Sequence, residues 1–311
     1  MVKVSVIIPN YNHATFIQQR IDSILAQTFQ DFELIILDDC STDNSREIIE
    51  LYRGNSRVSH ILYNETNSGS TFKQWKKGIQ LAEGDWIWIA ESDDFCESIF
   101  LEELINGVLS GDNVVLSYAQ TNCFNANGTI WVSSHNKSEC LNGSFFTNHY
   151  MLNGNTISNA SMVIFKKDIF NKIELNYLEY KYCGDWLIWI SIMQFGNIYV
   201  SNKVLNYFRK HDKDVTSKAM INGLVFTERI KLFYFLKKNN IITEKRFIQL
   251  LVNNYQNYLM NKSKMQKQIQ MIVENEFYFP DQNSNYKRIL LNNSKLQRVK
   301  SFVKSIVMKN G

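Results

Sequence analysis

Short apolar runs and helical apolar stripes alternate along the first third of the chain. Val4-Ser5-Val6-Ile7-Ile8-Pro9 is too short for a helix and reads as a buried strand, ended by the polar turn Asn10-Tyr11-Asn12-His13. Phe16, Ile17, Ile21, Ile24 and Leu25 then recur at the spacing of one helical face. The pair of signals repeats. Residues 32–37 predict a second strand, and Ile48, Ile49 and Tyr52 a helix for which Ser41, Thr42 and Asp43 are candidate caps. Val58–Tyr63 predicts a weaker third strand, and Phe72, Trp75, Ile79 and Ala82 a helix stopped near Gly84. Residues 86–90 predict a fourth strand, and Phe100, Leu101, Leu104, Ile105 and Val108 its helix. Strand–helix repeated in this way predicts an α/β fold with a Rossmann-like, mostly parallel sheet and right-handed crossovers.

The pattern then loosens. Residues 114–118 predict one more strand, and residues 120–155, rich in Asn, Ser and Gly, predict hairpins and loops. Strands are expected at 161–165 and 204–208, with a short apolar helix over 185–195 between them. From about residue 217 strand signals vanish. Leu232, Phe233, Phe235 and Leu236, then Phe247, Leu250, Leu251 and Tyr255, keep helical spacing among Lys and Asn. The expected division is a catalytic domain over 1–216 and a helical C-terminal region over 217–311. Residues 296–307 are basic and amphipathic, a pattern shared by helices that lie on an anionic membrane face and by ordinary packing helices.

Chemistry concentrates where two strands stop. The fourth strand ends in Glu91-Ser92-Asp93-Asp94 and the second in Asp38-Asp39. Acids at the carboxyl ends of parallel strands face the crevice where open α/β sheets bind ligands. If the two strands are neighbours, their acids line one pocket. Crowded carboxylates call for a cation, and an all-oxygen set favours Mg²⁺ or Mn²⁺ over zinc. The plainer alternative is a solvated turn with a helix cap.

Bulk composition adds limits. With 311 residues, 45% hydrophobic and 21% charged, the chain has ordinary globular values, and a net charge of +4 gives no argument for nucleic acid as a partner. Five cysteines without CxxC spacing form neither a disulfide framework nor a zinc motif and suit a reduced compartment. The strand pattern starts at Val4, so no signal peptide is expected before it, and no run reaches the length of a membrane span. The expectation is a cytoplasmic protein, peripheral at the inner membrane face if the basic segment binds there.

The ordered set of motifs resembles family 2 inverting glycosyltransferases with the GT-A fold. It comprises residues 4–9 with Tyr11-Asn12, then Gln27-Thr28-Phe29, Asp38-Asp39-x-Ser41-x-Asp43, Asn67-x-Gly69, Gly78 with Ala82-x-Gly84, and Glu91-Ser92-Asp93-Asp94. The likeness covers about residues 3–216. It implies a nucleoside-diphosphate sugar donor, a glycan or lipid-linked acceptor, and Mn²⁺ or Mg²⁺. Asp39 would accept the uracil imide N–H. Pro9, Tyr11, Asn12, Asn67, Gly69, Glu91 and Ser92 would line the donor site, and Arg209 would grip phosphate. Asp93, Asp94 and His211 would hold the metal, and Asp185 would be the catalytic base. Two positions depart from the family: Glu91 stands where the Asp-x-Asp motif begins with Asp, and Gly184 replaces the Glu before the base. Trp75, Trp86 and Trp88 are expected in the core, with Trp186 the better sugar platform. A non-catalytic binding relative and a nucleotidyltransferase are the competing readings. The latter is disfavoured because no Gly-rich basic loop follows the first strand. The helical region is free to form a homodimer.

Overall fold

β1 (Val4–Asn10) is buried at all seven positions and runs through the interior of the sheet. In the computed structural model, which describes residues 3–211, 219–279 and 286–292, β1 pairs in parallel with β2 (Phe32–Asp38) on one side and β4 (Trp86–Ile89) on the other. β3 (Val58–Tyr63) adds in parallel to β2. The helices α1 (Ala14–Leu25), α2 (Ser45–Glu50) and α3 (Thr71–Leu81) connect these strands. The order β3-β2-β1-β4 changes direction between β1 and β4, which is the switch point of a doubly wound sheet. One expectation is corrected here. The two acid-ended strands, β2 and β4, are not neighbours, because β1 lies between them.

Pro9 is tolerated inside a central strand for a local reason. Pairing of β1 with β4 ends at Ile7 and Ile89, with Ala90 N–H donating to the Ile7 carbonyl. The proline nitrogen falls past the end of that ladder, where no donor is needed.

Beyond β4 the sheet becomes mixed. β9 (Val163–Lys166) runs antiparallel to β4 and to β6 (Val114–Asn125), and β10 (Asn197–Arg209) runs parallel to β6. β5 (Phe95–Cys96) and β8 (Glu139–Asn142) pair antiparallel with β10, and β7 (Gly128–Val132) forms a hairpin with β6. The strand expected to begin at Ser161 begins instead at Val163. Ser161 sits in a single 3-10 turn, Ala160–Met162. Trp75, Trp86 and Trp88 are buried as their spacing predicts.

Several motif residues serve the fold. The Gln27 side chain donates to the carbonyls of Ser23 and Glu97 and accepts from Leu101 N–H, joining the end of α1 to the start of α4 (Phe100–Ser110). Gly84 lets the chain pass β1 closely, since a Cβ there would lie 2.7 Å from the Ser5 nitrogen and 2.8 Å from the Lys3 carbonyl oxygen. Asp43 caps two helices at once, accepting from Ala14 N–H and Ser45 N–H.

The described residues form two compact units, 3–179 with 184–211 and 180–183 with 219–292. The second is helical: Leu224–Lys238, Glu244–Asn261 and Lys267–Tyr278. Within it the buried Glu228 carboxylate accepts the N–H groups of Lys181, Tyr182 and Cys183, each at 2.8 Å. Among the described residues no helix is long and apolar enough to cross a membrane. The basic segment 296–307 and the surroundings of Pro280 lie outside the described residues.

Candidate active site

The turn after β4 sends its four polar side chains to four different elements. Glu91 donates its N–H to the Ser161 hydroxyl at 3.0 Å and accepts the Trp75 indole N–H at 3.0 Å. The buried Ser92 hydroxyl lies 2.7 Å from His13 Nδ1. Asp93 Oδ2 lies 2.9 Å from Nε2 of His211, 118 positions away in sequence. Asp94 accepts from Asn159, the Ser161 hydroxyl and the Arg209 N–H.

These environments push the three carboxyls apart. Burial raises Glu91 to about 8, and the Asp93 and Asp94 charges add to it. Burial and the Asp93 charge raise Asp94 to about 7. Burial would raise Asp93 as well, but the His211 hydrogen bond and the nearby His13 hold it below the usual carboxylate range. Neighbouring titratable groups driven in opposite directions are a mark of functional sites.

His13, Asp93 and His211 each offer one ligand atom, all within 4.8 Å of one another. The His13 and His211 rings meet edge to face at 5.5 Å, and His211 stacks on Phe16. His13 is the residue that the sequence reading passed over as part of a polar turn. Its signal was its place just before α1, opposite Ser92, a contact only the fold creates. Of the residues expected to hold metal, Asp93 and His211 are in this trio and Asp94 is not; His13 is added. The Asp94 oxygens accept from Asn159, Ser161 and Arg209.

Asp39, at the end of β2, is enclosed by the loop before α3. It accepts from the Asn64 amide, the Ser68 N–H, the Ser68 hydroxyl and the Gln74 amide. Asn67 donates to the Asp39 carbonyl and accepts from Gly69 N–H, and Gly69 takes the left-handed φ of +69° that this turn requires. Asp38 is structural: it accepts from Asn10 and from the Ser41 N–H and hydroxyl. Asn12, at φ 56°, accepts the Thr42 N–H, and Tyr11 beside it is 46% exposed.

Arg209 is held by its own surroundings. Its Nε donates to the Asp93 carbonyl and its terminal nitrogen to Gln19, and the guanidinium lies 4.7 Å from the Phe16 ring centre and 4.8 Å from that of Phe124. It braces the acid turn. Asp185 stands in the first turn of the helix Gly184–Met193, accepting from Asn155 Nδ2 at 2.9 Å and from Trp186 N–H. The Gly184 departure has a steric cause: a Cβ there would sit 2.6 Å from the Phe72 ring. Phe72 packs edge-on against Trp75, whose N–H holds Glu91, so the two departures meet through one aromatic pair. Trp186 is 3% exposed and offers no face to a sugar, which removes it as a platform.

The sequence profile of glycosyl transferase family 2 matches residues 5–174. The poly(ribitol-phosphate) beta-N-acetylglucosaminyltransferase TarS of Staphylococcus aureus is 37% identical over 107 residues, 33% of this chain but only 18% of that protein. The putative teichuronic acid biosynthesis glycosyltransferase TuaG of Bacillus subtilis is 26% identical over 238 residues, 75% of this chain and 90% of that one. The crystal structure of TarS residues 1–349 in complex with UDP-GlcNAc superposes with a TM-score of 0.64 at 20% identity, covering 83% of this chain and 73% of that one. The mixed sheet with its β1/β4 switch point is the GT-A fold, and the chain belongs to glycosyl transferase family 2.

Proposed function

We propose that the protein transfers a hexose or N-acetylhexosamine, with inversion, from a UDP-sugar to a glycan or lipid-linked acceptor in cell-surface polysaccharide synthesis. The observation that carries this reading is the convergence of His13 and His211 on Asp93 at the carboxyl end of β4. The UDP-sugar complex of TarS and the polysaccharide role in TuaG's name support the choice of donor and product.

The trio fits a divalent ion, and its imidazole nitrogens suit Mn²⁺ better than Mg²⁺. An ion held there would neutralise charge on the departing diphosphate. The chain's own residues do the rest. Asp39 accepts the imide N–H of the base, in a loop whose shape it also holds. Asp185 sits where a helix N-terminus favours its ionised form, oriented by Asn155. It takes the proton of the acceptor hydroxyl as that oxygen attacks from the face opposite the diphosphate.

Incubation with UDP-sugars and Mn²⁺, followed by UDP release and product mass, tests the reading. Absence of both UDP release and UDP binding sinks it. Asp185→Asn should lower kcat by about 10²–10⁴-fold, the range of a lost general base, with UDP affinity unchanged. A wild-type rate in that variant removes Asp185 from the chemistry.

A further inference from the structure

Asp185 has a donor on each carboxylate oxygen, and the two donors differ in kind. Oδ1 accepts the backbone N–H of Trp186 at 2.7 Å, and Oδ2 accepts Asn155 Nδ2 at 2.9 Å. A backbone N–H only donates, whereas a primary amide holds donors and an acceptor on one planar group. A half-turn about its Cβ–Cγ bond exchanges them, and that torsion is broad and roughly two-fold. The bond to Asp185 is the one hydrogen bond that the Asn155 side chain makes among the described residues. Asn155 Oδ1 is buried and has no partner there. A buried acceptor left unpaired is destabilising, and while Asp185 is ionised this one has no use. A second bond at Oδ1 would lock the amide as a permanent donor. Without one, the protonation state of Asp185 alone sets which way the amide faces.

We propose that Asn155 turns with the proton: its Nδ2 donates to Asp185 while that carboxylate is ionised, and its Oδ1 accepts from Asp185 once it is protonated. This rests on Asp185 as the base. In the transfer the acceptor O–H bond breaks and its electron pair forms the bond to the anomeric carbon. The diphosphate leaves with the pair of the old glycosyl bond, and the proton passes to Asp185. On Oδ1 that proton would face the Trp186 N–H, donor against donor. On Oδ2 it meets an amide that can present its carbonyl, so Oδ2 is the oxygen that takes it. Asn155 is thus a positioning residue that keeps the base aimed in both protonation states.

The test reads kcat against pH by UDP release, with UDP affinity measured beside it. The charged and histidine groups on the segments packed against the Asp185 helix (His149, Lys167, Asp168, Glu179 and the three lysines of α3) are kept in every variant. Asn155→Ala should lower kcat about tenfold, as a base held less firmly does, and leave UDP affinity unchanged. Its acid limb should stay where that of the wild type lies, because the lost amide bonded the carboxylate and the acid alike. A donor alone would favour the ionised form, so its loss would move that limb up by about one unit. Such a move, or a wild-type kcat, overturns the proposal and leaves Asp185 as the base. Asn155→Asp sets a second carboxylate beside the first, so its acid limb should rise. A limb unmoved in Asn155→Asp shows that it does not report Asp185, which removes the base reading and the proposal with it. If Asn155→Ala does not fold, Asn155→Leu, of similar size, is read in the same way, and failure of both makes Asn155 structural and overturns the proposal.

Discussion

At the end of β2, Asp39 takes hydrogen bonds from Asn64, Ser68 and Gln74. At the end of β4, Glu91, Asp93 and Asp94 crowd together, and the charge of Asp93 raises both of its neighbours. Both are acid clusters at strand ends, on either side of β1. The first has donors to spare, so its carboxylate sets the shape of a loop. The second crowds three buried carboxyls together, so burial and mutual charge push two of them up towards 7 and 8 while Asp93 is held down by histidines. A satisfied acid builds a pocket wall, and a crowded one is poised to take a cation.

The most direct way to break this contrast is Asp93→Asn. It should abolish measurable Mn²⁺ binding and lower turnover by about 10³-fold, as loss of a leading electrostatic contact does. Its Tm in EDTA should fall only modestly, because relief of the crowding with Glu91 and Asp94 offsets part of the lost attraction to His211 and His13. Calorimetry with Mn²⁺ and a melt in EDTA check both halves. Retained Mn²⁺ affinity would dismiss the trio as a metal site.

Asp39→Asn should show the reverse balance. An amide turned towards the Ser68 and Gln74 donors leaves a buried group badly paired, at a cost of about 1–3 kcal/mol. Tm should fall with or without Mn²⁺, and UDP affinity should fall with it. An Asp39→Asn protein that melts like wild type would mean that the loop shapes itself without the carboxylate, and the contrast would disappear.

The strand–helix order, and the acids at two strand ends, were legible because buried parallel strands and amphipathic helices leave strong local periodicity. What escaped the sequence was set by contacts between distant residues. Strand order put β1 between the acid clusters, and no local signal carries that. His13 looked like turn polarity until the fold set it on Ser92. Asp94 accepts from Asn159, Ser161 and Arg209, and Arg209 donates to the Asp93 carbonyl and Gln19, partners that no local sequence signal names. Arg20 fits the polar side of any helix in the sequence, and only its burial under Trp88 makes it unusual. Trp186 offered an aromatic where a platform would be useful, but the helix Gly184–Met193 is apolar on nearly every side and buries it.

The smallest effect is the most specific to the β4 turn. Glu91 at about 8 and Asp94 at about 7 lie well above ordinary carboxylates, near 4. Between about pH 4.5 and 8 the folded protein therefore binds more protons than the unfolded chain. Stability from these groups is fully present below that window and is lost as pH rises through it. In EDTA, Tm should decline from pH 5 to pH 8. Glu91→Gln keeps an acceptor for the Trp75 N–H but removes one titrating group, so its decline should be shallower, most visibly above pH 6. Mn²⁺ at pH 8 should restore more Tm to wild type than to Glu91→Gln, since the ion then replaces the proton that Glu91 has lost. A slope identical to wild type in Glu91→Gln would show that Glu91 does not hold the proton, and the crowding at the end of β4 would reduce to the Asp93–Asp94 pair alone.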